Sequence, residues 1–315
     1  AYASSDPSSS ISMYVINQTT GELSSIGTVV AATNPIGIAV DPAGRFVYAA
    51  ANGSAAVLMY TIDQTTGSLT ANGSIAAGTN PQGVAVDPTG KFAYAANATS
   101  NNISMYTINQ TTGVLTANGT IAAGTTARRI AIDPTGKFVY VANGGTNNIS
   151  MYAINQTTGV LTANGTIGAG TSPIGLALDP TGKFAYVSNI TSNDIFMYTI
   201  DQATGVLQAN GTIAAGTGPH GFAVDSTGKF AYASNITSNN VSMYTINQLT
   251  GVLSVNGTIA AATGPYGIIA STKGFVYVAN SGSNTVEAHT IQATGALTSN
   301  GTIASAPPSQ IAIAY

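Results

Sequence analysis

The sequence predicts an all-β chain folded as a seven-bladed β-propeller, with four antiparallel strands in each blade. Three observations support this prediction: an aspartate recurs every 46 residues, each repeat holds β-forming runs separated by polar turns, and no stretch shows helical periodicity. Fixed periods of about 40–50 residues indicate stacked supersecondary units, because one unit cannot bury its apolar face alone. The recurring aspartates are Asp41, Asp87, Asp133, Asp179 and Asp225.

Residues 128–173 form one repeat, and its first half predicts two strands joined by a turn. The short apolar run 129–132 suits a strand that is buried on both faces. Asp133-Pro-Thr-Gly136 then predicts a turn, because Asp accepts backbone N–H groups, Pro presets φ and Gly adopts the left-handed conformation. Residues 137–143 are rich in β-formers and predict the second strand.

The second half of the same repeat supplies two further strands. Residues 149–154 alternate apolar and polar side chains, as expected of a third strand with one wetter face. Residues 160–167 form the fourth strand, which Asn164-Gly165 interrupts. A glycine inside a strand often marks a bulge, and a bulge protects an edge strand from pairing with other chains.

The two chain ends together complete the ring, so residues 1–315 are predicted to form a single propeller domain. The last inner strand, within 309–315, ends the chain without its three partners. Residues 1–30 supply these partners, because residues 1–5, 11–16 and 22–28 match the second, third and fourth strands of the repeat. A seventh blade built from 309–315 and 1–30 closes the ring and leaves no free end at which it could open.

Composition limits the partners that the protein can have. A net charge of −3 and a pI of 5.1 argue against nucleic acid. No apolar run approaches the ~18–20 residues of a membrane helix, so membrane insertion is not expected. Only 6% of residues are charged, against about 25% typically, and Asn, Thr, Ser and Gly must cover the surface. With Ala1 in place of an initiator Met, this composition predicts a secreted, periplasmic or cell-surface protein of a bacterium or archaeon.

Most charged residues occupy repeated turn positions. Five of the eleven acids are the recurring aspartates, and we expect them to be solvated and structural. Six of the eight basic residues share one position after the turn: Arg45, Lys91, Lys137, Lys183, Lys229 and Lys273. Only Arg128 and Arg129 remain, and they are adjacent. The repeated tyrosines, such as Tyr48 and Tyr94, indicate packing between blades.

Arg128 and Arg129 open an inner strand, where it meets the central channel on the face opposite the Asp turns. Each of the seven inner strands opens with two residues at this place. Glycine is frequent as the second of them because seven strands crowd there. Large polar side chains replace the repeat residues in several blades and predict a ligand site at the channel mouth. The predicted binding residues are Arg128, Arg129, His220, Tyr266, Gln82 and Gln310. Guanidinium groups suit a carboxylate or phosphate, so we expect a small polar or anionic ligand.

The repeat resembles the YVTN-type and the 6-phosphogluconolactonase-like, lactonase-family propellers over essentially the whole chain. The matching stretches are residues 83–92, 138–143 and 105–113. The resemblance implies one of two roles, because lactonase-like members include hydrolases and cycloisomerases of lactones, whereas YVTN-type members include surface-layer and exported proteins. A shared fold does not decide between them.

The lactonase interpretation assigns Arg128, Arg129 and His220 to catalysis, since lactonase-like propellers commonly carry basic residues at this position. Those enzymes also use an acid near the channel, and proton transfer needs a group that titrates. No carboxylate aligns beside Arg128, so the catalytic set looks incomplete. The acids outside the repeated turns are Asp6, Glu22, Asp63, Asp194, Asp201 and Glu287. Asp6 and Asp194 fall on the channel-mouth face, but we expect them to lie far from the axis.

The sequence therefore favours an exported binding or interaction module over an enzyme, with a small ligand or another surface protein as its partner. A lactone hydrolase is the first alternative and a structural surface or matrix protein is the second. No cofactor is expected, and two unrelated histidines without cysteine predict no metal site.

Overall fold

The computed structural model describes residues 1–6 and 8–314. In this part of the chain, 28 strands form seven four-stranded sheets, and the paired strands are antiparallel. The predicted seven-bladed propeller is confirmed. Blades 1 to 6 each take four consecutive strands, and blade 7 combines the last strand of the chain with the first three. No helix among the described residues is long and apolar enough to cross a membrane.

Each blade begins at the channel with an inner strand, and a turn leads from it to the second strand. The inner strands are β4 Pro35–Val40, β8 Pro81–Val86, β12 Ala127–Ile132, β16 Pro173–Leu178, β20 Pro219–Val224, β24 Pro265–Ala270 and β28 Gln310–Ala312. The second strands are β5 Phe46–Ala51, β9 Phe92–Asn97, β13 Phe138–Asn143, β17 Phe184–Asn189, β21 Phe230–Asn235, β25 Phe275–Asn280 and β1 Tyr2–Ser5.

The third and outer strands complete each sheet, and one 3₁₀ turn, Asn52–Ser54, precedes the third strand of blade 1. The third strands are β6 Ala56–Ile62, β10 Asn102–Ile108, β14 Asn148–Ile154, β18 Asp194–Ile200, β22 Asn240–Ile246, β26 Thr285–Ile291 and β2 Ser10–Ile16. The outer strands are β7 Leu69–Ala76, β11 Leu115–Ala122, β15 Leu161–Gly168, β19 Leu207–Ala214, β23 Leu253–Ala260, β27 Leu297–Ala304 and β3 Leu23–Val30.

Blade 7 joins the two chain ends, as predicted. Strand β28 pairs with β1 in antiparallel register, with Ser4 opposite Gln310 and Tyr2 opposite Ala312. The Ser309 N–H also donates to the Ser4 carbonyl at 2.7 Å. Inner strand β28 contacts both β24 and β4, so the seven inner strands form a closed ring. The predicted end of this strand at Tyr315 lies outside the described residues.

The recurring aspartates are buried, which corrects the expectation that they are solvated. Asp133 is 4% exposed, and its Oδ1 accepts the N–H groups of Lys137 and Phe138 at 2.7 and 2.6 Å. Its Oδ2 accepts the Thr135 N–H at 3.0 Å and also the Thr135 hydroxyl. A carboxylate with this many donors needs no cation, so the burial is compatible with its charge.

The repeated tyrosines tie one blade to the next. Tyr140 is fully buried, and its hydroxyl donates to the Gly205 carbonyl of blade 4 at 2.8 Å. Tyr48 makes the equivalent bond from blade 1 to the Gly113 carbonyl of blade 2 at 2.9 Å. The predicted inter-blade role of these tyrosines is confirmed.

The outer strands carry the bulge that the Asn-Gly pairs predict. In blade 3 the register of β14 and β15 shifts between Ser150 and Tyr152, and Gly165 has a φ of 98°. A side chain would strain this conformation, so glycine is required. The Asn164 side chain donates to the Thr204 carbonyl in the next blade at 2.6 Å. The bulged edge is therefore held against its neighbour.

Candidate functional site at the channel mouth

The first residues of the inner strands surround the channel on the face opposite the Asp turns, and the strands lie close together there. A Cβ on Gly37 would lie 2.6 Å from the Gln82 carbonyl oxygen, and one on Gly83 would lie 2.5 Å from the Arg128 oxygen. Such distances are shorter than van der Waals contact, so glycine lets adjacent inner strands approach. The expected crowding at the channel mouth is confirmed.

Arg129 stands at this glycine position in blade 3. Its side chain is 9% exposed, and Nη1 makes a long hydrogen bond of 3.4 Å to the Gln82 carbonyl oxygen. Burial, with the neighbouring charge of Arg128, lowers the pKa of Arg129 to about 10, while Tyr266 opposes the shift. Arg129 therefore remains a cation at neutral pH, in an environment that does not compensate its charge.

Arg128 lies against the backbone at the end of the second strand of blade 3. A Cβ on Gly144 would be 2.9 Å from the Arg128 Nε, so only glycine leaves room for this guanidinium. Nε is fully enclosed and has no hydrogen-bond partner in the part of the chain that the structure describes. Among residues 1–6 and 8–314, neither Arg128 nor Arg129 forms an ion pair. Two adjacent cations without counter-ions favour an anionic ligand.

His220 and Tyr266 belong to blades 5 and 6 and meet beside the arginines. Their ring centroids are 3.5 Å apart, and the His220 Nδ1 lies 3.2 Å from the Tyr266 carbonyl oxygen. A carbonyl oxygen only accepts, so Nδ1 carries the proton and Nε2 keeps a free lone pair. His220 is 2% exposed, and burial, together with Arg129 and Arg128, lowers its pKa well below the usual value. The imidazole is neutral at pH 7.

Gln82 and Gln310 are less closely connected to this group. The Gln82 main-chain oxygen accepts from Arg129, but its side-chain amide donates to the Asn80 Oδ1 at 3.3 Å. The Gln310 N–H donates to the Ser4 Oγ at 3.3 Å, and among the described residues its side chain forms no hydrogen bond with Arg128 or Arg129. The geometry thus connects Arg128, Arg129, His220 and Tyr266, with Gln82 contributing backbone.

No acid of the described chain forms an ion pair with Arg128 or Arg129, but the backbone of Asp6 lies beside Ser309 at the channel mouth. Its N–H lies 3.4 Å from the Ser309 Oγ on the inner-strand side of blade 7, closer to the channel than the sequence suggests. Its Oδ1 is enclosed without a hydrogen-bond partner among residues 1–6 and 8–314, and burial raises the pKa of this carboxyl. Asp194 instead accepts from Asn189 and Ser192 within its own loop. Asp63 caps an exposed turn through the Thr65 N–H.

A second unusual pair, which the sequence interpretation left without a role, lies away from the mouth. Glu287 and His289 are 7% and 2% exposed on the third strand of blade 6, with Oε2 and Nε2 3.4 Å apart. The Glu287 Oε1 accepts the Ala262 N–H at 2.7 Å. The sequence carries this signal, because four of the other six blades have Ser at the position of Glu287 and all six have Tyr at the position of His289. In residues 1–6 and 8–314, no cluster of three or more His, Asp or Glu could hold a metal.

Comparison with known proteins identifies the family. A model of the lactonase, 7-bladed β-propeller family matches residues 1–85, 74–174 and 166–270, which together span residues 1–270. The chain belongs to this family. No curated protein matches its sequence.

Solved structures share the propeller over nearly the whole chain. A candidate 6-phosphogluconolactonase from Bacteroides fragilis superposes with a TM-score of 0.88 at 23% identity, covering 98% of this chain and 96% of its own. A periplasmic gluconolactonase from Pseudomonas aeruginosa gives a TM-score of 0.86 at 16% identity, with the same coverage. At these identities, the likeness to the solved structures shows the fold.

Proposed function

We propose that the protein hydrolyses a lactone of a sugar acid at the channel mouth. One observation carries this proposal. The guanidinium groups of Arg128 and Arg129, which form no ion pair among the described residues, act on the neutral imidazole of His220, whose Nε2 can accept a proton. Family membership and the gluconolactonase names of the similar structures support a lactone as substrate. The comparisons thus favour the enzyme alternative over the binding module that the sequence favoured.

The residues present supply the elements of ester hydrolysis. The His220 Nε2 accepts a proton from water as its oxygen attacks the lactone carbonyl carbon. Arg128 and Arg129 stabilise the negative charge that develops on the carbonyl oxygen, or they hold an acidic group of the substrate. The ring C–O bond then breaks, and the imidazolium returns the proton to the leaving hydroxyl. The products are the open hydroxy acid and the neutral histidine.

Binding of a sugar acid without turnover is the second candidate, and one observation favours it. Among the described residues, no carboxylate forms a hydrogen bond or ion pair with His220, so no negative charge stabilises an imidazolium at the mouth. The arginines also lower the pKa of His220, which weakens it as a base. A binder and an enzyme differ here in turnover and not in the residues that hold the ligand.

The test is hydrolysis of glucono-δ-lactone, its 6-phosphate and a simple γ-lactone, followed by acid release at constant pH. We compare the wild type with the double variant Arg128→Gln and Arg129→Gly, which restores residues found at the same positions of blade 2. Arg45→Lys, which restores the repeat residue on the opposite face, is the matched control.

Lactone hydrolysis that the double variant loses and Arg45→Lys keeps would support the enzyme. Saturable binding of the open acids without any turnover would support the second candidate. Equal activity in all three proteins would refute a site at the channel mouth.

We also propose that the protein acts outside the cytoplasm. The low charge and Asn- and Thr-rich surface support this location, as does the likeness to a periplasmic gluconolactonase. Immunodetection in fractionated cells of the native host tests it, and a purely cytoplasmic signal would contradict it.

A further inference from the structure

Six methionines fill the same socket at six of the seven junctions between blades. Each lies on a third strand, and its Sδ accepts the N–H of a leucine in the following blade, as Met59 does from Leu115 at 3.1 Å. The methyl end packs on the bulge glycine of its own blade, with the Met59 Cε 3.5 Å from a Cβ position on Gly73. The six pairs are Met13 with Leu69, Met59 with Leu115, Met105 with Leu161, Met151 with Leu207, Met197 with Leu253 and Met243 with Leu297.

The seventh socket, between blades 6 and 7, has Ala288 in place of methionine. A Cβ on its bulge glycine, Gly301, would have no atom of the described residues within 4 Å, whereas the equivalent glycines meet a methionine methyl group. Leu23, the leucine of this junction, is partly exposed, while its six counterparts are 3–7% exposed. The socket is thus also present at the junction of blades 6 and 7, but no methionine side chain of this chain fills it.

An open notch occupies the place of the missing side chain. Its volume is about 210 Å³, and its lining includes Leu23, Val286, Ala288 and Gly301. A water molecule takes up about 30 Å³, so this volume admits a side chain of several heavy atoms. Glu22 lies at the rim, where its exposed carboxylate accepts only the Thr20 hydroxyl among the described residues. Of the described residues that line the notch, Glu22 is the only charged one.

We propose that this notch, lined by Leu23, Val286, Ala288 and Gly301, binds a methionine side chain that a second polypeptide presents next to a lysine or arginine. The six filled sockets show that the site fits methionine. Its unbranched thioether accepts a hydrogen bond from the leucine N–H and packs its methyl group on the glycine. Glu22 supplies the complement for the neighbouring cation. This inference does not depend on the proposed lactonase activity, since the notch lies at the outer rim.

The test uses NMR of the full chain, labelled at backbone amides and alanine methyls, with acetyl-Lys-Met-amide as the probe. We expect saturable shifts of Leu23, Ala288 and Gly301. Oxidising the probe to its sulfoxide should remove these shifts, because it places a polar oxygen in an apolar socket. Glu22→Gln should weaken binding of the lysine-containing probe several-fold. A wild-type titration without saturable shifts at these residues would overturn the proposal.

Two variants give a matched control. Ala288→Met should fill the notch, abolish the shifts and raise Tm by a few degrees, because it rebuilds a contact found six times in this chain. Met243→Ala should open an equivalent notch between blades 5 and 6, so that Leu297 then also responds to the probe. Unchanged probe binding in Ala288→Met, a fall in its Tm, or a silent Leu297 in folded Met243→Ala would each contradict the proposal.

Discussion

Both faces of the propeller carry buried charged residues, but these residues have different roles on the two faces. On the turn face, charge is repeated and satisfied, since Asp133 accepts four hydrogen bonds and Asp87 repeats the main ones. At the channel mouth, charge is unique and unsatisfied, since Arg129 has one long hydrogen bond and Arg128 an enclosed Nε without a partner. A charged residue that recurs in the repeat and has its hydrogen-bond partners stabilises the fold. A charged residue that departs from the repeat and lacks such partners indicates a candidate site.

If this comparison holds, substitutions on the turn face lower stability, and those at the mouth leave it nearly unchanged. Asp133→Ala should have the largest effect, a loss of about 3–5 kcal/mol in the free energy of unfolding, because it orphans buried N–H groups that a carboxylate had satisfied. Urea denaturation measures it. Ser271→Ala is the control in blade 6, where a hydroxyl accepts the Phe275 N–H at 3.0 Å, and it should cost about 1 kcal/mol. Equal losses would contradict the assigned role of the carboxylate.

Tyr140→Phe should cost less, about 1–2 kcal/mol, because it removes one buried inter-blade hydrogen bond and leaves the Gly205 carbonyl unpaired. Thermal and urea unfolding both measure this loss. Tyr266→Phe, at the channel mouth, is the comparison and should change stability by less than about 0.5 kcal/mol. A larger loss for Tyr266→Phe would erase the difference between the two regions.

The pH dependence of stability should report His220 directly. Because its folded pKa is lowered, the unfolded chain binds the extra proton as the pH falls below about 6.5, and stability decreases there. The contribution has a limiting slope of about 1.4 kcal/mol per pH unit and ends at the folded pKa. His220→Asn, which keeps a donor for the Tyr266 carbonyl, should flatten the profile by that amount. Parallel wild-type and variant profiles would show that the folded imidazole takes up the proton normally.

Arg129→Gly should also have a small effect on stability, within about 1 kcal/mol of wild type. It restores the repeat glycine and removes a buried guanidinium, which offsets the entropic cost of glycine. Differential scanning calorimetry measures the change. A loss as large as that of Asp133→Ala would mean that Arg129 is a structural residue.

The blades could be predicted from sequence because each local signal repeats and each acts within one blade. Asn164-Gly165 predicts its own bulge, and the chain ends predict their pairing since each supplies what the other lacks. Burial of Asp133 was not predictable in the same way. It depends on packing between neighbouring turns, such as Gly136 on Pro88 of the preceding blade, where a Cβ would lie 3.3 Å from Cδ.

The channel-mouth residues were predictable as a set but not as an arrangement. Their departure from the repeat locates Arg128, Arg129 and His220 on one face, yet nothing local specifies that Arg129 extends back to Gln82 or that the His220 ring lies against the Tyr266 ring. These contacts join different blades, so they depend on ring closure. The notch at Ala288 was not predicted, although Ala288 departs from the methionine that the other six blades carry at this position.

A crystal structure of the complex with gluconate 6-phosphate tests the central claim most directly, because it locates an anion without assuming turnover. The account predicts density at the channel mouth, with ligand oxygens within hydrogen-bond distance of the Arg128 and Arg129 guanidinium groups and near the His220 Nε2. Density on the Asp-turn face or at the outer rim, with the mouth residues unengaged, would contradict it.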